Sequence, residues 1–202
     1  MEEKEILFNS GLLFMRYGIK SMTMDDIARQ LGISKKTLYL YVDNKKDLVK
    51  KMMALHIEED QDCICQIVNK NGNAIDELME ITKMVGEQMK EMHPAVMFDL
   101  KKYHPEAYKL LMDHKEKFIS KNIRRNLEEG ISTGLYRSNL NPELVTKFYL
   151  AMVNTIIDPD HFPSTSFSYS ELHAEMMRYH IRGIASAQGR EYLKKKFNQE
   201  HV

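Results

Sequence analysis

Ala28-Arg29-Gln30-Leu31-Gly32-Ile33-Ser34 is the stretch on which the reading of this chain turns. Two short helical runs meet there across a single glycine. Ala28 is small where two helices must cross closely, and Gly32 supplies the backbone freedom a tight turn requires. Ile33 is sized to plug the wedge between the helices, and Leu38 on the second run returns to the same core. The pattern predicts a helix-turn-helix whose second helix carries Ser34, Lys35, Lys36, Thr37, Tyr39 and Leu40 on its outer face. Such a helix enters the major groove of a duplex with its N-terminal residues toward base edges, while flanking groups hold phosphates.

Start and stop signals surround this core motif. A first helix is expected from Glu2 to Tyr17, with Ile6, Leu7, Leu13, Phe14 and Tyr17 on one stripe and Gly18 as its stop. Thr23, with Asp26 three residues on, predicts a capping-box start for the second helix, whose buried stripe is Met24, Ile27, Ala28 and Leu31. Ser34 caps the short third helix, expected to run through Tyr41. Asn44 and Asp47 open a long fourth helix reaching toward Val68.

Beyond it the periodicity stays helical and strand signals are nearly absent. Asn71-Gly72-Asn73 breaks the pattern before a helix from Ala74 to Met92. Pro94 and Pro105 start or bend segments. A long amphipathic helix is expected over 105–129, ended by Gly130 and Gly134, and Asn141-Pro142 opens another bearing Leu144, Val145, Phe148, Met152 and Ile156. Residues 158–169 read as a loop. Ser170 is the expected cap of a last long helix with Leu172, Met176, Tyr179, His180, Gly183 and Ala187 on one side. The fold class is all-α, with residues 1–50 as a helix-turn-helix domain and 51–202 as a second helical domain.

Composition is that of an ordinary globular chain, 43% hydrophobic and 29% charged over 202 residues. No signal peptide is read at the acidic start. The longest apolar stretch, Phe148 to Ile157, is about half of what a bilayer needs, so no membrane partner is expected and the location is read as cytoplasmic. Net charge is zero, but between Gly32 and Lys51 six lysines (35, 36, 45, 46, 50 and 51) face only Asp43 and Asp47. A local basic surplus of this kind is the footprint of a duplex-binding module.

Residues 6–48 resemble the DNA-binding domain of the TetR family of regulators. The matching features are Ile6, Leu13-Phe14, Gly18, Thr23, Ile27-Ala28, Leu31-Gly32-Ile33-Ser34, Thr37-Leu38-Tyr39, Tyr41, Asn44-Lys45 and Leu48, in one ungapped run of 43 residues. Asn9-Ser10 stands where the family usually has small Ala-type residues, and Val42 where Phe is commoner. The resemblance implies that Lys35, Lys36 and Thr37 reach base edges or nearby phosphates, and a lysine there can donate to guanine O6 and N7. It implies phosphate bonds from the hydroxyls of Tyr39 and Tyr41. Lys45, in the first turn of the fourth helix, suits a phosphate, as do Thr23 and the amides after it.

The resemblance further implies that the second domain binds a small-molecule effector and forms a homodimer, here through the two long C-terminal helices. The expected effector lining is the Met- and aromatic-rich middle, chiefly Met97, Phe98, Tyr103, Phe118, Tyr149 and Met152. Cys63 and Cys65 point to opposite helical faces and suggest neither disulfide nor metal. His173 and His180 share a helical face, and His93, His104 and His114 cluster in sequence, but nothing completes a ligand set. No cofactor is implied. There is no nucleophile elbow, glycine-rich phosphate loop or paired catalytic motif, so an enzyme is not expected. The expectation is a ligand-responsive repressor on a palindromic DNA operator. The alternative is a small-molecule-binding helical protein with vestigial DNA binding.

Overall fold

The structure, a computed structural model, describes residues 2–70, 72–158, 160–163 and 165–199. Asn71 and Pro159, assigned above to a break and a loop, lie outside them. Among the described residues the chain forms α-helices joined by turns, and the all-α class holds. They are α1 (Glu3–Tyr17), α2 (Met24–Gln30), α3 (Lys35–Leu38), α4 (Lys45–Val68), α5 (Ala74–Lys90), α6 (Ala95–Tyr103) and α7 (Pro105–His114), followed by α8 (Ser120–Ser132), α9 (Pro142–Ile156), α10 (Tyr169–Ile184) and α11 (Ala187–Gln199).

Two compact units result. The first comprises residues 1–63 and 91–114, the second 64–90 and 115–202. The division is therefore discontinuous in sequence, whereas the sequence reading placed one cut at residue 50. That position falls inside α4, and the first unit also takes in α6 and α7. The reason is burial. Val96, Leu100 and Ala107 join Ile6, Phe14, Ile27, Leu38 and Leu48 in one hydrophobic core. Two polar ties add to it: His93 N donates to Met15 O at 2.6 Å, and Lys20 N donates to the buried Asp99 carboxylate at 2.7 Å.

In the second unit α10 packs on α5 and α9, and α8 packs on α5 and α9. A buried polar network links the layers. The Tyr136 hydroxyl donates to Asn126 Oδ1 at 2.9 Å, and the Asn126 amide donates to Ala74 O and to Glu77 Oε1. Arg125 closes on the same Glu77 carboxylate at 2.5 Å. A single antiparallel bridge, Tyr136 with Ala185, ties the turn after α8 to the α10–α11 junction.

Several expected elements shift. The helix expected over 105–129 is interrupted by a π-helical segment, Lys115–Ile119. A π turn accommodates one extra residue, so the 3.6-residue stripe does not run unbroken through this stretch. Gly130 lies inside α8 rather than ending it. The last cap is Ser168, not Ser170: its side chain accepts from Glu171 N and the Glu171 carboxylate accepts from Ser168 N. α10 stops at Ile184, and a separate helix that the sequence reading did not separate, α11, follows.

Candidate nucleic-acid interface

The capping box of α2 forms as expected. Thr23 Oγ1 accepts from Asp26 N at 3.1 Å, and Asp26 Oδ2 accepts from both the amide and the hydroxyl of Thr23. These bonds lower the Asp26 pKa from its ordinary value. Thr23's hydroxyl is thereby engaged within its own helix start, so it reaches a phosphate only by leaving Asp26. Met24, Ile27 and Ala28 turn inward, and the chain then reverses through Gly32 at φ 66°. Ile33 N donates to Ala28 O at 3.0 Å across the turn, closing α2 against the start of α3.

Ser34 Oγ accepts from Thr37 N at 3.0 Å, starting α3. Only Leu38 of that helix is fully buried. Its four-residue extent is shorter than the run to Tyr41 expected from sequence, with turns taking over at Tyr39. The outer face is as the turn dictates: Ser34, Lys35 and Lys36 are exposed, Thr37 is half-buried, and Tyr39 and Leu40 stand 42% and 73% exposed. A leucine that open beside a lysine pair suits the methyl group of a thymine.

The lysines separate into different situations. Lys35 pairs with Asp25 of α2 at 2.9 Å, and its hydrogen bond to that carboxylate raises its pKa. Both partners are exposed, a setting in which an ion pair contributes little and exchanges readily for another anion. Lys36 and Lys46 stand in solvent. Lys45 is half-buried in the first turn of α4 and its ammonium lies 3.5 Å from Lys20 O; burial lowers its pKa while Asp99 raises it. Lys50 pairs with Glu106 at 2.7 Å, and Lys51 with Glu3 at 3.2 Å and with the carbonyl of Tyr41. So part of the basic surplus seen in sequence is matched by Asp25, Glu106 and Glu3 from other elements. Sequence could not show this, because those pairings depend on the angles at which the helices cross.

Asn44 Oδ1 accepts from Asp47 N at 3.0 Å and starts α4, as its sequence predicts. Tyr39 is exposed and Tyr41 half-buried at the end of the α3 turn. Ser34, Lys35, Lys36, Thr37, Tyr39, Tyr41 and Lys45 thus fall within one short segment of the first unit, with Thr23 at the start of the neighbouring helix.

The six expected effector-lining residues are distributed over both units. Met97, Phe98 and Tyr103 belong to α6 in the first. Phe98 is 47% exposed and meets Tyr103 edge-on at 6.3 Å, with Lys102 over both rings and Lys20 bonded to the Tyr103 hydroxyl. Phe118, Tyr149 and Met152 belong to the second unit, where Tyr149 is buried against the His180 ring at 5.2 Å. His173 and His180 do share a buried face, and among the described residues no group of three His, Cys, Asp or Glu side chains is placed to hold a metal. Cys63 and Cys65 are exposed and free. No helix among the described residues is long and apolar enough to cross a membrane.

Comparison with known proteins agrees with this geometry. Residues 12–52 match the family described as bacterial regulatory proteins, tetR family. The uncharacterized HTH-type transcriptional regulator YvaF of Bacillus subtilis is 27% identical over 188 residues, spanning 91% of this chain and 96% of that protein. The HTH-type transcriptional repressor KstR2 of Mycobacterium tuberculosis is 23% identical, spanning 71% of this chain and 74% of its own length. Among solved structures, a transcriptional regulator from Saccharomonospora viridis in complex with choline superposes with a TM-score of 0.71 at 14% identity, covering 91% of this chain and 97% of that one.

Proposed function

This chain belongs to the TetR family of helix-turn-helix transcription regulators, and from that premise we propose that it is a ligand-responsive repressor that binds a palindromic operator as a homodimer. The observation that carries the reading is the outer face of α3. Lys35 and Lys36 of α3 and Tyr39 and Leu40 of the turn after it face outward together, with Thr37 half-buried beside them, while Leu38 anchors the helix from behind. Lys36 reads a base edge or a nearby phosphate, Leu40 packs on a methyl group, and Tyr39, Tyr41 and Lys45 hold the backbone.

The second unit supplies the partner surface and the switch. α9 buries Thr146, Tyr149 and Ile156 but leaves Leu144 and Phe148 at 49% and 63% exposure, and α10 leaves Tyr179 at 73%. Those side chains are the contacts for a second copy. The effector is a small molecule held near Phe118, Tyr149 and Met152. It releases the operator by favouring a dimer whose recognition helices are wrongly spaced, which requires a preference of several kcal/mol, roughly 5 for a complete switch. DNA binding of this kind is not an enzymatic role, and its place is the cytoplasm.

The test is an anisotropy titration of the purified chain against the DNA upstream of its own gene, at two salt concentrations with unrelated duplex as competitor. Saturable binding that outcompetes the unrelated duplex is expected. Binding that ignores sequence on this and on genome-selected fragments, and disappears with salt, overturns the repressor reading.

A further inference from the structure

Within the first unit, α6 and the turn after α1 gather three cations that the operator contacts above do not use. Phe98 and Lys102 lie about one turn apart on α6, both exposed, with Lys101 exposed beside them. Lys20, from the turn after α1, meets this helix at Tyr103: its ammonium donates to the Tyr103 hydroxyl at 3.2 Å and lies 5.0 Å from the centre of that ring. The Lys102 ammonium lies 5.0 Å from the Phe98 centroid and 5.4 Å from that of Tyr103. The two rings meet edge-on, so both ammonium groups rest against one aromatic pair.

What sets these lysines apart is the lack of a counter-charge. Lys35, Lys50 and Lys51 are matched by Asp25, Glu106 and Glu3, but among the described residues no carboxylate pairs with Lys20, Lys101 or Lys102. Asp99 of α6 is buried and accepts the Lys20 amide at 2.7 Å, which leaves three exposed ammonium groups against one enclosed carboxylate. An aromatic ring attracts an ammonium group without neutralising it. A lysine held this way gives up part of its side-chain freedom before a partner arrives, and keeps its full charge for an anion on its open side. Tyr103 itself responds to this field: the Lys20 hydrogen bond first, with the charges of Lys102 and Lys20 behind it, lowers the phenol pKa.

The patch adjoins the proposed operator contacts. Lys45, the expected phosphate holder at the start of α4, has its ammonium 3.5 Å from the carbonyl of Lys20. We infer that Lys20, Lys101 and Lys102 form a second duplex-binding surface, which grips sugar–phosphate backbone alongside the stretch read by α3 and adds affinity without reading bases. Several outward cations in a row call for a partner that presents anions in series, and a duplex held at Lys45 brings such a partner to this place. Phe98 and Tyr103 then serve as the bed that fixes the lysines. The inference rests on the DNA-binding reading and extends it to α6.

The test uses the full chain and a duplex of about 40 base pairs of arbitrary sequence, because backbone contacts need no operator. Anisotropy titrations between about 50 and 200 mM salt give the slope of log affinity against log salt concentration. Lys20→Gln combined with Lys102→Gln changes only exposed side chains. It is expected to weaken binding about three- to ten-fold at about 0.1 M salt and to flatten the slope by about two for each chain bound, close to one per lysine. Lys83→Gln with Lys121→Gln removes the same two charges from exposed positions of the second unit, and is expected to leave affinity within about two-fold and the slope unchanged. Equal losses in the two double variants, or wild-type affinity and slope in the first, overturn the inference; the latter result leaves the face to an anionic partner other than DNA. A wild-type chain that binds no duplex even at about 50 mM salt is a different outcome: it overturns the DNA-binding reading itself and takes this inference with it.

Discussion

A Cβ added at Gly130 would lie 2.0 Å from Cδ2 and 2.3 Å from Cε2 of the Tyr136 ring. In sequence this glycine reads as a helix stop; in the fold it is the floor on which a fully buried tyrosine rests. Gly130→Ala is expected to cost about 2–3 kcal/mol in urea unfolding, because the ring cannot move without breaking its bonds to Asn126 and Ala74. A loss under about 0.5 kcal/mol, the range of an ordinary surface change, would show that the ring has room after all. The exposed side of the α2–α3 turn was legible at this scale, since Gly32, Ile33 and Leu38 dictate by themselves which neighbours point outward. The pairing of Lys35 with Asp25 was not, because it depends on the crossing of α2 and α3. That carboxylate opposes a duplex twice, by its own charge and by holding the lysine. Asp25→Asn is therefore expected to tighten non-specific duplex binding several-fold at low salt, with a steeper salt dependence as Lys35 joins the phosphate contacts. Unchanged affinity and slope in an anisotropy titration would remove Lys35 from the interface.

Helix starts were more legible than helix ends or allegiances. Thr23 with Asp26 and Asn44 with Asp47 form the caps their spacing predicts, because a capping box is a local bargain among four residues. Ser168 was missed in favour of Ser170, which stands closer to the apolar Leu172, although Ser168 has its glutamate three residues on. Ser168→Ala removes that box from the start of α10 and is expected to cost about 1 kcal/mol, with Ser170→Ala, which loses only a long 3.3 Å bond to Gly86 O, costing clearly less. Equal losses in thermal unfolding would mean that the cap is shared. The allegiance of α6 and α7 to the N-terminal core had no local signal. Val96, Leu100 and Ala107 read as any amphipathic stripe reads, and only the tertiary core shows which partner buries them. The π segment after α7 was equally silent, since an apolar stripe that jumps by one residue looks like one long helix with a ragged face.

Two properties belong to the molecule as a whole, and the first is its response to acid. Burial lowers His173 and His180 in α10 to about 4, from an ordinary value of 6.5. In the unfolded chain both take up protons as pH falls through 6.5, while the folded chain resists until near 4. Stability is thus lost progressively across that window, by about 2 kcal/mol for each histidine at pH 5. His173→Gln and His180→Gln are expected to flatten the acid limb of the stability curve, and an unaltered limb would mean that these rings are hydrated. The second is assembly, which the proposed repressor function requires. α9 is apolar on both sides, so its stripe in sequence did not reveal which side faces the core; the fold buries Tyr149 and Ile156 and leaves Leu144 and Phe148 in solvent. α10 adds Tyr179 beside Gly183, where nothing lies within 4 Å of an added Cβ. Operator half-sites about 34 Å apart need two recognition helices at fixed spacing, which one chain does not supply. Sedimentation of the wild-type chain is therefore expected to report twice 23.7 kDa. Leu144→Glu with Phe148→Glu should return it to the single-chain mass with helical content intact, and operator affinity should fall by orders of magnitude while non-specific binding survives. A wild-type monomer, a double variant that still dimerises, or a monomeric variant with full operator affinity would each place the partner surface elsewhere on the molecule.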